Sequence, residues 1–263
     1  MNEQGSIARH FSKGSEVYEQ EASLQREIAQ ELMKHIGTEY LPTRILDVGC
    51  GTGFLTGLIA DAYPEAELDA IDVSAKMIEK ARELVPDRRI NWISKDARRF
   101  SFPTSYDLIA SSSAIQWMYP HKTLFETFAR ILRPGGRVHF ALMLRGTLKE
   151  LHSLRREIAP QKQLRAELAS ADEVVSSLKG SGLDACRLDV QVYRRSYTTA
   201  ADFLWRIKEQ GFTGGEISTA DRPLTRGELR LLMERYSKAF DNKHGGVYAT
   251  FCVGYFEARL SPV

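Results

Sequence analysis

"ILDVGCGTGFLT" occupies residues 45–56. An apolar run carrying one acid, Asp47, leads into three glycines at 49, 51 and 53, and an apolar stretch that reads as a helix follows. Strand, glycine turn and helix in that order place bare backbone and free N–H groups where a nucleotide-like ligand can approach. A dinucleotide loop calls for GxGxxG, but the spacing here is DxGxGxG. A carboxylate at Asp47 repels a phosphate and welcomes a cationic ligand.

Outward from this turn the rhythm repeats. Short apolar strands are predicted at 44–50, 67–73, 90–96, 106–113 and 137–144, with helices at 54–62, 75–84 and 123–132. "RPGG" at 133–136 stops the last of these. Alternation of this kind predicts an α/β fold with a doubly wound, mainly parallel sheet. Upstream, residues 15–36 have helical spacing of apolar side chains. Downstream, 147–169 reads as a charged helix. Ser170 with Glu173 forms a capping box that opens a helix ending at glycine. A strand at 186–197 and a helix at 199–211 come next. A glycine-bearing loop at 211–223 precedes a second capping box, Thr225 with Glu228. The last strand is 247–258. The chain reads as one domain, 1–263, with an N-terminal helical region at 1–40. The stretches 145–169 and 203–246 are additions over one face of the sheet.

Two further acids end strands. Asp72 closes the second strand, where a carboxylate binds a ribose diol in open α/β sheets. Asp96, followed by Ala97, closes the third, where a carboxylate can accept a hydrogen bond from an adenine amino group. One glycine motif is weak evidence of a site; three acids at consecutive strand ends are a constellation.

These residues resemble the class I S-adenosyl-L-methionine-dependent methyltransferases: "LDVGCGTG", "AIDVS", "KDAR" and "LRPGG" follow that family's order and spacing. The resemblance implies a Rossmann-like, seven-stranded sheet with an antiparallel last strand. It implies S-adenosyl-L-methionine as cofactor and S-adenosyl-L-homocysteine as product. Asp72 would hold the ribose and Asp96–Ala97 the adenine. Gly49, Cys50, Gly51 and Gly53 would lie against the methionine part, with Asp47 placing its ammonium. Arg26, Val73, Met77 and Ser112 complete the implied cofactor set.

More of the chain is similar to the malonyl-acyl-carrier-protein O-methyltransferase (BioC) family of biotin synthesis. The matching stretches are 10–32, "SSSAIQWM" (111–118), "RGTLKELH" (145–152), "PLTRGELRLL" (223–232) and "YATFCVGY" (248–255). One departure stands out. The family's Asn-Leu-Ala-Val before Gln-Trp is here Ser112-Ser113-Ala114-Ile115. The resemblance implies methylation of the free carboxylate of a malonyl thioester on acyl carrier protein, with the additions forming a lid. No general base is needed, because a carboxylate is already a nucleophile at neutral pH; no catalytic residue beyond positioning groups is assigned. Candidates to meet the malonyl group are Tyr18, Gln25, Gln116, Trp117, Arg145, Lys208 and Tyr248. The basic excess around Lys149, Arg155 and Arg156 is a candidate docking surface for the acidic carrier. The cofactor motif alone leaves open another small-molecule acceptor, such as a quinone, or a SAM-binding protein without turnover.

Composition narrows the class further. With 36 basic and 34 acidic residues the net charge is +2, too balanced for a general nucleic-acid binder. The three cysteines, at 50, 186 and 252, are too widely spaced for a zinc site or a disulfide framework. No metal is expected. The N-terminal sequence has no apolar signal region, and no run has the length of a membrane span, so a cytoplasmic protein is expected.

Overall fold

The computed structural model describes residues 23–86, 89–162, 167–209, 223–243 and 245–261. Its strands are β1 (Arg44–Val48), β2 (Glu67–Asp72), β3 (Ile90–Ser94), β4 (Tyr106–Ser112), β5 (Leu132–Met143), β6 (Leu183–Tyr197) and β7 (Val247–Leu260). They form one sheet in the order β3-β2-β1-β4-β5-β7-β6. The first five run parallel, and β7 is antiparallel to both neighbours. Strand order reverses between β1 and β4. Connections leave in opposite directions there, so a crevice opens outside the carboxyl ends of those two strands.

β1 and β4 are largely apolar in their middles, with Ile45, Leu46, Leu108, Ile109 and Ala110 buried, because both faces of the sheet are covered. Ile45 of β1 packs into a cluster with helices α1 (Ser23–Ile36) and α2 (Phe54–Ala62). Leu46 and Val48 turn the other way, onto α4 (His121–Ile131) and α6 (Ala171–Lys179). α3 (Ala75–Leu84) closes the edge beside β2 and β3. α1 buries Leu24, Ile28, Leu32 and Ile36, spaced four apart, and stops at Gly37 with φ +68°.

The additions pack on the α1 side. Helices α5 (Lys149–Ile158), α7 (Ala200–Glu209) and α8 (Arg226–Ala239) contribute Leu154, Phe203, Ile207, Leu232 and Tyr236 to that cluster. Glu150 of α5 is 4% exposed and accepts hydrogen bonds from the backbone N–H and hydroxyl of Thr250 in β7. A carboxylate that deep stays because its oxygens have donors.

Both capping boxes form, at Ser170 with Glu173 and at Thr225 with Glu228. The expected charged helix over 147–169 is much shorter, ending at Ile158. Pro160 disfavours helical backbone at Ala159, which takes φ −140° and ψ 64°. "RPGG" ends α4 as expected, but Leu132–Gly136 already belong to β5. β6 begins at Leu183 and β7 continues to Leu260, because each pairs with the other along its whole length. The expected loop at 211–223 lies outside the described residues except for Pro223, and Tyr18 lies outside them as well.

Candidate cofactor and acceptor site

The crevice at the switch point is a pocket with about 1230 Å³ of empty space, counting its open mouth. Its floor is the β1–α2 turn. The N–H groups of Gly49 and Cys50 both donate to the carbonyl of Ile71 in β2, at 2.7 and 3.1 Å, which folds the turn tightly over the strand ends. Gly49, Gly51 and Gly53 have φ of +71°, +54° and +84°, a region costly for residues with a Cβ. Gly49 also has no room. A Cβ there would lie 2.3 Å from the Cβ of Ala114, on the far wall. Gly51 faces open space. Gly53 lies beneath the pocket, where a Cβ would meet Trp92 at 2.8 Å.

The three acids hold different positions. Asp47 is 1% exposed; its Oδ2 accepts from the Thr56 hydroxyl at 2.6 Å, while Oδ1 is buried with no partner among the described residues. Burial pushes its carboxyl up to about 7, against the opposing pull of the Thr56 hydrogen bond. Asp72 accepts from the Gly51 N–H at 3.0 Å and the Ser74 N–H at 2.8 Å, one per oxygen. Its carboxylate is thereby fixed, and each oxygen retains a lone pair for a ligand. Asp96 is held by Arg98, with Nε on Oδ1 at 3.1 Å and Nη2 on Oδ2 at 3.0 Å. Arg98 Nη1 also donates to the carbonyl of Tyr119, tying the loop after β3 to the loop after β4.

Val73, Met77 and Ala97 line the wall between Asp72 and Asp96. Gln25, Arg26, Ser112 and Trp117 line the pocket beside the glycine turn, and Arg26 stacks over the Phe54 ring at 5.3 Å. Four expected acceptor contacts stand elsewhere. Gln116 is 2% exposed and is not among the lining residues; its Nε2 donates to the Ser113 carbonyl at 2.8 Å. Arg145 is half-exposed and pairs with Glu167 and Glu173, at 3.4 and 3.0 Å. Tyr248 lies under Arg194, with 4.3 Å from the guanidinium to the ring centroid. Lys208 is exposed in the last turn of α7. Of the basic docking candidates, Lys149 and Arg156 are exposed. Arg155 is partly buried with Nε unpartnered among the described residues, and that burial lowers its basicity.

Ser113, Phe54, Lys95 and Arg98 also line the pocket, and sequence reasoning did not single them out. Ser113 had a signal, its departure from the Asn-Leu pattern. Arg98 had one too, as a cation two residues after a strand-end acid. The described residues contain no cluster of His, Cys, Asp and Glu able to hold a metal, and no helix long and apolar enough to cross a membrane.

Residues 45–136 match the family model described as "Methyltransferase domain". The malonyl-[acyl-carrier protein] O-methyltransferase of Hahella chejuensis is 32% identical over 96% of this chain and 89% of its own length. That of Anoxybacillus flavithermus is 30% identical over 93% of each. This chain belongs to the malonyl-[acyl-carrier protein] O-methyltransferase family. Among solved structures, the YcgJ protein of Bacillus subtilis aligns with a TM-score of 0.64 at 15% identity. The alignment covers 89% of this chain and 99% of that one, a likeness of fold. The enzyme is an S-adenosyl-L-methionine-dependent methyltransferase, and the pocket fits that cofactor. Its buried orphan oxygen on Asp47 suits an ammonium, and its anchored carboxylate at Asp72 suits a diol.

Proposed function

We propose that the enzyme transfers a methyl group to the free carboxylate of a malonyl thioester carried on acyl carrier protein, an early step of biotin synthesis in the cytoplasm. The observation that carries this reading is the extent of the likeness. Relatives of that name match 93–96% of the chain, so both additions are included as well as the shared cofactor half.

The chemistry asks little of side chains. Bound in the pocket, S-adenosyl-L-methionine supplies an electrophilic methyl on a sulfonium. Asp72 would take the ribose hydroxyls, Asp96 and the Ala97 backbone the adenine edge, and Asp47 the ammonium. The acceptor carboxylate is ionised at neutral pH and needs no base. What the protein adds is placement and exclusion of water. Trp117 and Phe54 give the pocket apolar walls, and we read α5, α7 and α8 as the lid on the acceptor side. Methylation removes the charge from the chain end, so the thioester resembles a neutral acyl primer.

The test is a panel of acceptors under one set of conditions: malonyl-carrier protein, malonyl-coenzyme A and a quinone. A kcat/KM highest for malonyl-carrier protein supports the reading. Transfer to the quinone with none to either thioester replaces it with the small-molecule alternative. Cofactor binding without S-adenosyl-L-homocysteine from any acceptor replaces it with a non-catalytic role.

A further inference from the structure

Three serines in a row end β4, and their hydroxyls differ. Ser111 is fully buried and its Oγ donates to the Val48 carbonyl at 2.7 Å, tying β4 to β1. The Oγ atoms of Ser112 and Ser113 are buried with no hydrogen-bond partner among the described residues, and both residues line the pocket. On helix α1, Oε1 of Gln25 is also buried and has no partner among the described residues, and Gln25 lines the same pocket. A buried hydroxyl or amide without a partner is costly and rare. Three at one end of one cavity point to a polar ligand there.

The backbone is shaped to present them. Ser113 has φ +56°, a left-handed conformation that disfavours residues with a Cβ. Two bonds hold it so: its N–H donates to Ala141 of β5 at 2.8 Å, and its carbonyl accepts from buried Gln116. Local strain kept in place by buried contacts is a mark of a working turn.

The remaining lining groups say what the ligand is. Lys95 and Arg98 lie with Asp96 at the other end. Arg26 is stacked on Phe54, and Arg145 is paired with Glu167 and Glu173. Arg26 keeps its charge beside Gln25, which favours an anion at this end, and hydroxyls can each donate one hydrogen bond to an acceptor-only group. We propose that Ser112 and Ser113, with Gln25 opposite, are the seat of the acceptor's carboxylate. The proposal rests on the reading of the acceptor as a carboxylate and goes further by naming the atoms. A Gln25 amide turned half round offers its Nε2 to the same group. Neutral donors orient the carboxylate without pairing away its charge, so it stays nucleophilic.

The test uses the full-length enzyme saturated with S-adenosyl-L-homocysteine and titrated calorimetrically with malonyl-pantetheine. The S112A/S113A double variant should bind it at least about tenfold more weakly, as for two lost hydrogen bonds to an ionised carboxylate. The S113A single variant, which leaves Ser112 of the expected cofactor set in place, should keep its affinity for S-adenosyl-L-homocysteine within about twofold of wild type. S113G, which relaxes the turn but lacks the hydroxyl, should be weakened too, and S113N, which tolerates this φ and keeps a donor, should recover part of the loss. The methyl ester of malonyl-pantetheine should bind wild type and double variant alike. Equal malonyl-pantetheine affinity in wild type and double variant overturns the seat, as does no binding by wild type. Wild-type binding without methyl transfer leaves the seat standing and overturns the proposed reaction instead.

Discussion

The two ends of the pocket are built on different principles. The cofactor end is backbone and carboxylates: three left-handed glycines, an acid at each strand end, and every acid held by named donors. The proposed acceptor end adds neutral side chains on a strained turn and a helix, with hydroxyls that have no partner among the described residues. The first needs fixed charges in fixed places and tolerates little change. The second achieves selectivity through geometry and tolerates more. The comparison predicts a gradient of mutational effect from one end to the other.

The steepest effect should be at Gly49. A Cβ there meets Ala114 at 2.3 Å and faces an unfavourable φ of +71°. We expect Gly49→Ala to weaken cofactor binding by roughly 100-fold or more and to lower the melting temperature, since strain and clash act together. Wild-type affinity in calorimetry would show that the turn relaxes. Asp72→Ala is next, at about 1–3 kcal/mol of cofactor affinity for a lost charge-assisted bond. An unchanged Kd would remove Asp72 from the site.

Asp47 sharpens the comparison through pH. In the folded protein without cofactor its carboxyl titrates near 7, well above its unfolded value near 4. The neutral form is therefore favoured on folding. Its contribution to stability is complete below the unfolded pKa and is lost as pH rises to about 7. A cationic ligand reverses the preference, so cofactor binding should release a proton below pH 7. Affinity should then rise by up to about tenfold per pH unit before levelling off. Calorimetry in buffers of different ionisation enthalpy measures that proton, and Asp47→Asn should abolish it. A flat profile in wild type would separate Asp47 from the ammonium.

The smallest effect lies outside the pocket. Lys149 and Arg156 are exposed on α5, whereas Arg155 is partly buried. Reversing Lys149 and Arg156 to Glu should raise KM for the carrier-borne substrate by about three- to tenfold at low salt, through slower encounter. Malonyl-pantetheine and cofactor kinetics should not change. Equal KM values at low salt would put the carrier elsewhere.

How much of this was legible in the chain follows from the same contrast. Asp47, Asp72 and Asp96 could be read from the sequence because strand ends and glycine turns fix their positions locally. The parallel strands of the sheet were legible for the same reason, whereas the antiparallel β7 was implied by the family resemblance alone. Capping boxes located α6 and α8 because they are satisfied within four residues. The acceptor end depends on contacts remote in sequence. Gln25 and Ser112 come to line one pocket only once α1 packs on the sheet, and buried Gln116 donates to the Ser113 carbonyl. Arg145 looked free at a strand end, yet Glu167 and Glu173 reach it across a turn. The helix expected through 169 ended early at a local signal, Pro160, that its charge pattern obscured.

The most direct test of the account is the intact mass of malonyl-carrier protein after incubation with enzyme and S-adenosyl-L-methionine. The account predicts a gain of one methylene unit on the malonyl group, with an equal amount of S-adenosyl-L-homocysteine. An unchanged mass with folded, cofactor-binding enzyme would contradict it.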